Sequence, residues 1–485
     1  MNRRSNMANK KKNDRESSKY KTILAAIPSE IDRDQFKDSL GDLIEKISLK
    51  HVPVGSLTRM WILGSMQAKI AIGYLAYMIR SNFSAKSDKQ RRLNETNLKT
   101  ALRLLATMGY LKGTVMKLGQ ALGNLPEVVP EEIAGIMSTL QFDAPPMHFS
   151  MIREVFLDEL GKEADEIFHS FEKKAFAAAS FGQVHRAVLK SGEEVAVKIQ
   201  YPNLSETIRS DLRSLRILFQ PMRLKREQRY LFDHLDDAEK MFMAEADYTK
   251  EARFMEQVRT LFAENEGIIV PRVWKQYTTG RVLTMDYIPG CHLPEFLASE
   301  RDQEIRDHFG RLISTAYIRI WFRLRTIYTD LNPGNFLFLE DGRIGLIDYG
   351  SHRTYSEEEW QFQWVVERAV MEDDPKTLDD GIAKTCFFNN AEEMEPERLE
   401  LLRKQVFWQV TPAKRDEPFD FGDKEWFKQG IDLMSASMRR GYSRYNSLCN
   451  WWTRSIIGHR TLMYHLRCRI KYREIYMAER VHANL

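Results

Sequence analysis

Cysteine is scarce in this chain. Only Cys291, Cys386, Cys449 and Cys468 occur in 485 residues, and none forms a CxxC pair. That excludes a disulfide framework and gives structural zinc no support, so the four read as reduced core residues. Long apolar runs are also missing. The best candidate, WILGSMQAKIAIGYLAYMI over 61–79, is broken by Lys69 and bounded by Arg59 and Arg80, whereas a membrane span needs about 20 apolar residues. There is no GxxxxGK[ST], which excludes a P-loop enzyme, and no GxGxxG. No repeat with a period of roughly 20–50 residues is visible. Nor does one sign of charge dominate. The net charge is +4, but the first 21 residues carry eight basic and two acidic side chains, 8 − 2 = +6, leaving −2 for the rest. The body is therefore not a basic nucleic-acid binder. The tail reads as a solvated, disordered segment rather than a secretory signal.

What remains is the balance of a globular protein, with 43% hydrophobic and 29% charged residues. Residues from about 22 to 150 read as mostly helical. The clearest helix runs from about Asn94 to Leu122, where Leu104, Met108, Leu111, Val115, Leu118 and Leu122 form one stripe and Lys117 and Gln120 lie off it. From about 171 the period changes to two. AFAAASFGQVHRAVL, a turn at Lys190-Ser191-Gly192 and EEVAVKIQ predict a β-hairpin. Helix returns from about Leu204 to Leu261, and GIIVPRVW and RVLTMDYI predict strands. Beyond Gly290 the chain reads as helical except for FLFLEDGRIGLID, whose Asp341-Gly342 marks a hairpin. The expected fold class is α+β, a small β-rich lobe beside a larger helical lobe.

Four short segments carry chemistry when taken together. VAVK ends in Lys198, a strand lysine able to hold a phosphate oxygen as a point charge. Glu251, 53 residues on, can brace that lysine from a helix. In TDLNPGNF, Asp330 can orient a nucleophile, while Asn335 offers an amide oxygen to magnesium across a Pro333-Gly334 turn. In LIDYG, Asp348 at a strand end supplies a second metal contact. The order and spacing point to a protein-kinase-like nucleotide and metal site. Where the glycine-rich phosphate loop would stand, the chain has Ala177-Ala178-Ala179-Ser180. Alanine lacks the positive-φ freedom of glycine, so a stiffer loop is expected there, and an alanine triplet is a poor strand former.

Together KLGQ, AAAS, QVHRA, VAVKIQYP, EADY, TDLNPGN and IDYG resemble the UbiB/AarF family of atypical protein-kinase-like proteins. The resemblance implies a two-lobe kinase-like fold with an N-terminal helical extension carrying a KxGQ motif. The implied division is a basic tail over 1–21, the extension over 22–150, the N-lobe over 151–290 and the C-lobe over 291–485. Further implied are an ATP site at Ala177, Ala178, Ala179, Ser180, Lys198, Glu251, Met285 and Tyr287, and magnesium at Asn335 and Asp348. Asp330 is implied as the catalytic residue, with a gating set of Lys117, Gln120, Glu245 and Asp247 in which Lys117 pairs with Glu245. The expected function is an ATPase using ATP/ADP and Mg2+ in support of ubiquinone or isoprenoid-lipid metabolism. Its alternatives are a protein or lipid kinase and a nucleotide-sensing pseudokinase scaffold. The implied location is cytoplasmic, with peripheral membrane or lipid contact and quinone-biosynthesis proteins as partners. The chain departs from the family pattern at Tyr328 and Asn332, where many members carry histidine.

Three features read as structural. His185 completes a strand, and His459 and His465 are six apart rather than the four a helical metal pair needs. The C-terminal stretch with Trp451, Trp452, Arg454, Tyr464, Tyr472 and Tyr476 reads as a basic helical region with a buried aromatic side.

Overall fold

A computed structural model describes residues 149–179, 181–219, 230–299, 301–386, 395–439 and 447–483. The basic tail, the stretch 61–79, the segment 94–122 with Lys117 and Gln120 that the sequence predicts as a helix, and Ser180 lie outside the described residues. The chain divides into two compact units, Met1–Pro146 with Asn203–Phe242, and Met147–Pro202 with Met243–Leu485.

The larger unit begins with helices α1 (Phe149–Leu160) and α2 (Ala164–Ile167), followed by strands β1 (Phe168–Phe171), β2 (Ala177–Ala179), β3 (Gly182–Leu189) and β4 (Glu194–Gln200). Gly192, at φ 102°, closes the β3–β4 turn, a conformation that favours glycine. The register sets Val184 opposite Lys198 and Arg186 opposite Ala196. Alternation then sorts β4 into two faces. Val195, Val197 and Ile199 pack with Ile152, Val155 and Phe156 of α1 in one core cluster. Ala196 belongs instead to the main core. The expectation for the alanine triplet is corrected here, because Ala177–Ala179 is a strand paired antiparallel with Ala179 opposite Gly182. Its strand state comes from pairing with a neighbour already fixed in a sheet, which overrides weak intrinsic preference.

Helices α3 (Leu204–Phe219) and α4 (Tyr230–Glu245) follow, then α5 (Tyr248–Arg259). Of GIIVPRVW only β5 (Ile268–Ile269) is a strand, paired parallel with a later strand; its Val273 makes an isolated bridge to Met285. Pro271 interrupts the run, which explains the shortening. Strand β6 (Val282–Asp286) joins β4 to complete a five-stranded sheet.

The helical portion is built around α7 (Gln303–Leu324), preceded by the short α6 (Leu293–Ala298). From Phe309 to Phe322 residues on every side of α7 are buried, as expected of a helix enclosed by neighbours. Next come β7 (Thr326–Tyr328), β8 (Phe336–Phe338), β9 (Ile344–Leu346) and β10 (His352–Thr354). β8 and β9 form the hairpin expected at Asp341-Gly342, with β5 added alongside β9. The expectation that this hairpin is the one strand segment beyond Gly290 is corrected by two further ladders. One joins β7 to β10; the other joins β11 (Phe419–Asp420) to β12 (Arg469–Ile470). Both are too short to leave a period-two signature. The remaining helices are α8 (Glu357–Met371), α9 (Pro375–Cys386), α10 (Pro396–Lys414), α11 (Lys424–Arg439), α12 (Ser447–Leu466) and α13 (Tyr472–Arg480). Tyr472 and Tyr476 are buried in the main core, in line with the buried aromatic side read from the sequence. Among the described residues no helix is long and apolar enough to cross a membrane.

Two outcomes follow from this packing. A Cβ on Gly182 would lie 2.1 Å from the Ile199 carbonyl oxygen, which is backbone and cannot yield cheaply. Gly182→Ala is expected to cost roughly 3 kcal/mol, measured by urea unfolding. Buried Glu367 accepts a hydrogen bond from the Tyr476 hydroxyl at 2.6 Å. Burial pushes its carboxyl up to about 8, against the opposing pull of Tyr476, Gln363, Arg460 and Arg480. The folded state therefore holds a proton that the unfolded chain releases near its ordinary value of 4.5. Stability should fall as pH rises between those two values and level off above them, by on the order of 5 kcal/mol. Glu367→Gln should flatten that slope in unfolding measured across the range.

Candidate nucleotide and metal site

Three elements bring charge to one place. Lys198, the fifth residue of β4, is buried, and its Nζ donates to both oxygens of Glu251, at 2.8 and 3.0 Å. Glu251 lies in the first turn of α5, a helix whose N-terminus is capped by Asp247 accepting from the Thr249 backbone N–H at 3.0 Å. The cap aims the helix's positive end at a carboxylate in its first turn. Asp348, at the exit of β9, places Oδ2 3.4 Å from the same Nζ. Burial opposes the ammonium charge, but Asp348 and Glu251 outweigh it and hold Lys198 protonated well above its ordinary range. The Tyr248 ring lies 5.1 Å beneath the ammonium and adds a further attraction. Glu251 also accepts from the Tyr349 backbone N–H at 3.3 Å, tying α5 to the residue after Asp348.

The loop with Asp330 closes against this arrangement. The register pairing Phe336 with Leu346 sets Asn335 opposite Ile347, whose N–H donates to the Asn335 carbonyl at 3.1 Å. Asn335 and Asp348 thus occupy the same end of one hairpin. The Asn335 side-chain amide donates to the Asp330 carbonyl at 2.9 Å, which commits its nitrogen and leaves its oxygen as a metal donor. Asn332 accepts from the Gly334 N–H at 2.9 Å, holding the Pro333-Gly334 turn. Asp348 Oδ1 accepts from the Gly350 N–H at 3.0 Å. The donors offered to a cation are all oxygen, one carboxylate and one amide, which suits magnesium held partly by substrate phosphates. Among the described residues no three His, Cys, Asp or Glu side chains cluster as a self-sufficient metal site.

The other residues singled out in the sequence divide between this place and elsewhere. Ala177–Ala179 lie on the same sheet as Lys198 through β3. Met285 is buried opposite Ala196 on β6. Tyr287 follows β6; its N–H donates to the Glu194 carbonyl, and its ring meets Phe176 at 5.9 Å and the Arg186 guanidinium at 4.4 Å. Glu245 is buried at the end of α4. The proposed Lys117 partner of Glu245, together with Gln120 and Ser180, lies outside the described residues. Histidines 185 and 459 are buried and pushed towards neutrality by burial, so they pack rather than titrate.

Sequence reasoning missed the work of Tyr328. Its hydroxyl donates to the Asp348 backbone carbonyl at 2.6 Å, linking the strand before Asp330 to the metal-side carboxylate. The substitution of histidine was visible, but the reach of the phenol across to β9 was not. Thr329 adds a second link, its Oγ1 lying 2.7 Å from the Ser351 hydroxyl.

A family model for the ABC1 atypical kinase-like domain matches residues 139–379. The chain is 30% identical over 348 residues to the Saccharomyces cerevisiae protein named atypical kinase COQ8, mitochondrial, covering 70% of this chain and 68% of that one. It belongs to the ABC1 atypical kinase-like family. Other members it resembles are atypical kinase COQ8B, mitochondrial, of Danio rerio (29% identity, 65% of this chain and 51% of that one) and AarF domain-containing protein kinase 1 of Xenopus laevis (30%, 54% and 52%). The chain thus spans about half the length of these two relatives. Among solved structures, the Mycobacterium tuberculosis Rv3197–erythromycin complex matches with a TM-score of 0.51 at 25% identity, covering 81% of this chain and 97% of that one. The fold is kinase-like, as the order of elements in the larger unit requires.

Tyr328→Phe, which keeps the ring and removes the donor to Asp348, is expected to cost about 1–3 kcal/mol in urea unfolding.

Proposed function

We propose that this ABC1-family protein binds a nucleoside triphosphate with magnesium beside Lys198 and directs its terminal phosphoryl group to water. The observation that carries the reading is the convergence of Lys198, Glu251 and Asp348, from three separate elements, on one buried ammonium. A lysine fixed in direction by one carboxylate can exchange its contact with the other for a phosphate oxygen. Asp348 and Asn335, at the same end of one hairpin, would then hold the magnesium ion. Magnesium, when bound, neutralises charge on the phosphates. Asp330 orients the attacking water or an acceptor hydroxyl, its backbone fixed by Asn335. Ala177–Ala179 cover the phosphates, and Met285 and Tyr287 border the base.

The relatives' names and the family resemblance support a role in ubiquinone or isoprenoid-lipid metabolism, with quinone-biosynthesis proteins and a membrane surface as partners. In that role Glu245 and Asp247 belong to the expected gate, whose other members Lys117 and Gln120 lie outside the described residues.

Calorimetric titration with ATP and ADP, with and without magnesium, tests the site. Lys198→Ala and Asp348→Asn are expected to weaken magnesium-dependent ATP binding by about tenfold or more; unchanged affinity in both would refute the assignment. Release of inorganic phosphate supports hydrolysis, whereas labelled phosphate on a discrete acceptor would make the protein a kinase.

A further inference from the structure

The chain around Asp330 is gripped from below by a single helix. Ser455 and Gly458 of α12 are three residues apart and so share one face. Buried Ser455 donates its hydroxyl to the Tyr328 carbonyl at 2.6 Å, two residues before Asp330. Its oxygen also lies 3.2 Å from the Tyr317 hydroxyl on α7. One turn on, a Cβ at Gly458 would lie 3.1 Å from Leu331 Cβ, one residue after Asp330. The absence of a side chain there lets the helix backbone approach the loop. Rotation of α12 is fixed by its next residue. Buried His459 stacks on Tyr317 at 4.5 Å, with Nε2 3.3 Å from the Ser314 hydroxyl and Nδ1 3.1 Å from the Arg460 guanidinium. The arginine can only donate, so Nδ1 accepts and Nε2 carries the proton.

We infer that Ser455 and Gly458 are positioning residues that hold the Asp330 loop at its working height, by fixing the backbone on both sides of the aspartate. The proposal rests on the reading of Asp330 given above, yet it makes a claim about the loop that needs no turnover to test. The hydrogen bonds of Ser455 go to Tyr328 and Tyr317 and to none of Lys198, Glu251, Asn335 or Asp348. Displacing Leu331 by a few tenths of an ångström moves Asp330 directly, whereas Lys198 and Glu251 sit on β4 and α5, to which neither residue hydrogen-bonds.

The test uses the full chain with Ser455→Ala, Ser455→Thr and Gly458→Ala. Hydrogen–deuterium exchange read on the peptide spanning 328–335 is expected to lose protection in Ser455→Ala and Gly458→Ala, with the peptides containing Lys198 and Glu251 unchanged. Ser455→Thr, which keeps the hydroxyl, should restore it. In steady-state hydrolysis the two disruptive variants are expected to lose roughly tenfold in kcat, with KM for ATP changed less than about twofold. Wild-type protection of 328–335 in both disruptive variants would overturn the proposal, whatever the activity. Loss of protection spread evenly over the chain would overturn it too, since that is the mark of a fold-wide role. If wild type shows no magnesium-dependent hydrolysis, the functional reading fails, and the exchange result still decides whether the helix holds the loop.

Discussion

Everything in the candidate site depends on one buried ion pair. Lys198 and Glu251 are almost wholly removed from water, where neither charge is tolerable without the other. Their contact joins the sheet to α5, and the link from Glu251 to the Tyr349 N–H extends it to the end of β9. A lysine so placed cannot choose its rotamer. It must point at the narrow space that Asp348 also enters, and this turns three elements distant in sequence into one electrostatic unit.

The helical portion serves that unit by holding Asp330 and Asn335 in register. α7, buried over most of Phe309–Phe322, supplies the axle on which β7 and the following loop are laid. The β8–β9 ladder then returns the chain so that Asn335 and Asp348 finish side by side. Hydrogen bonds at the crossing are mostly from side chain to backbone. Asn335 serves Asp330, Tyr328 serves Asp348 and Ser455 serves Tyr328. Such bonds fix main-chain position on either side of the acidic residues.

How much of this was legible beforehand differs by element. The β3–β4 and β8–β9 hairpins announced themselves through alternation flanking Gly192 and Asp341-Gly342, because short-range turn chemistry suffices to specify them. Lys198, Glu251, Asp330, Asn335 and Asp348 could be singled out because their spacing is regular enough to read in one dimension. The strand state of Ala177–Ala179 could not be read, since it is conferred by β3 and not by alanine. Nor could the roles of Tyr328, Ser455 and Gly458, which arise from contacts 20, 127 and 127 positions away along the chain. Asp247 also caps α5, a local bond that its neighbour Thr249 could have suggested.

The pairing of Ala177–Ala179 with β3 carries a mechanical corollary. In a free-standing flap, exchange of a bound molecule needs only the flap to lift. Here Ala177–Ala179 are stitched by main-chain bonds to the strand next to the one that bears Lys198. Ala177–Ala179 and Lys198 are therefore parts of one hydrogen-bonded plate. The chain leaves that sheet through the short connection at 287–290, where a Cβ on Gly290 would lie 3.0 Å from Leu337 Cβ, so the backbone passes too close to β8 for any side chain at that point.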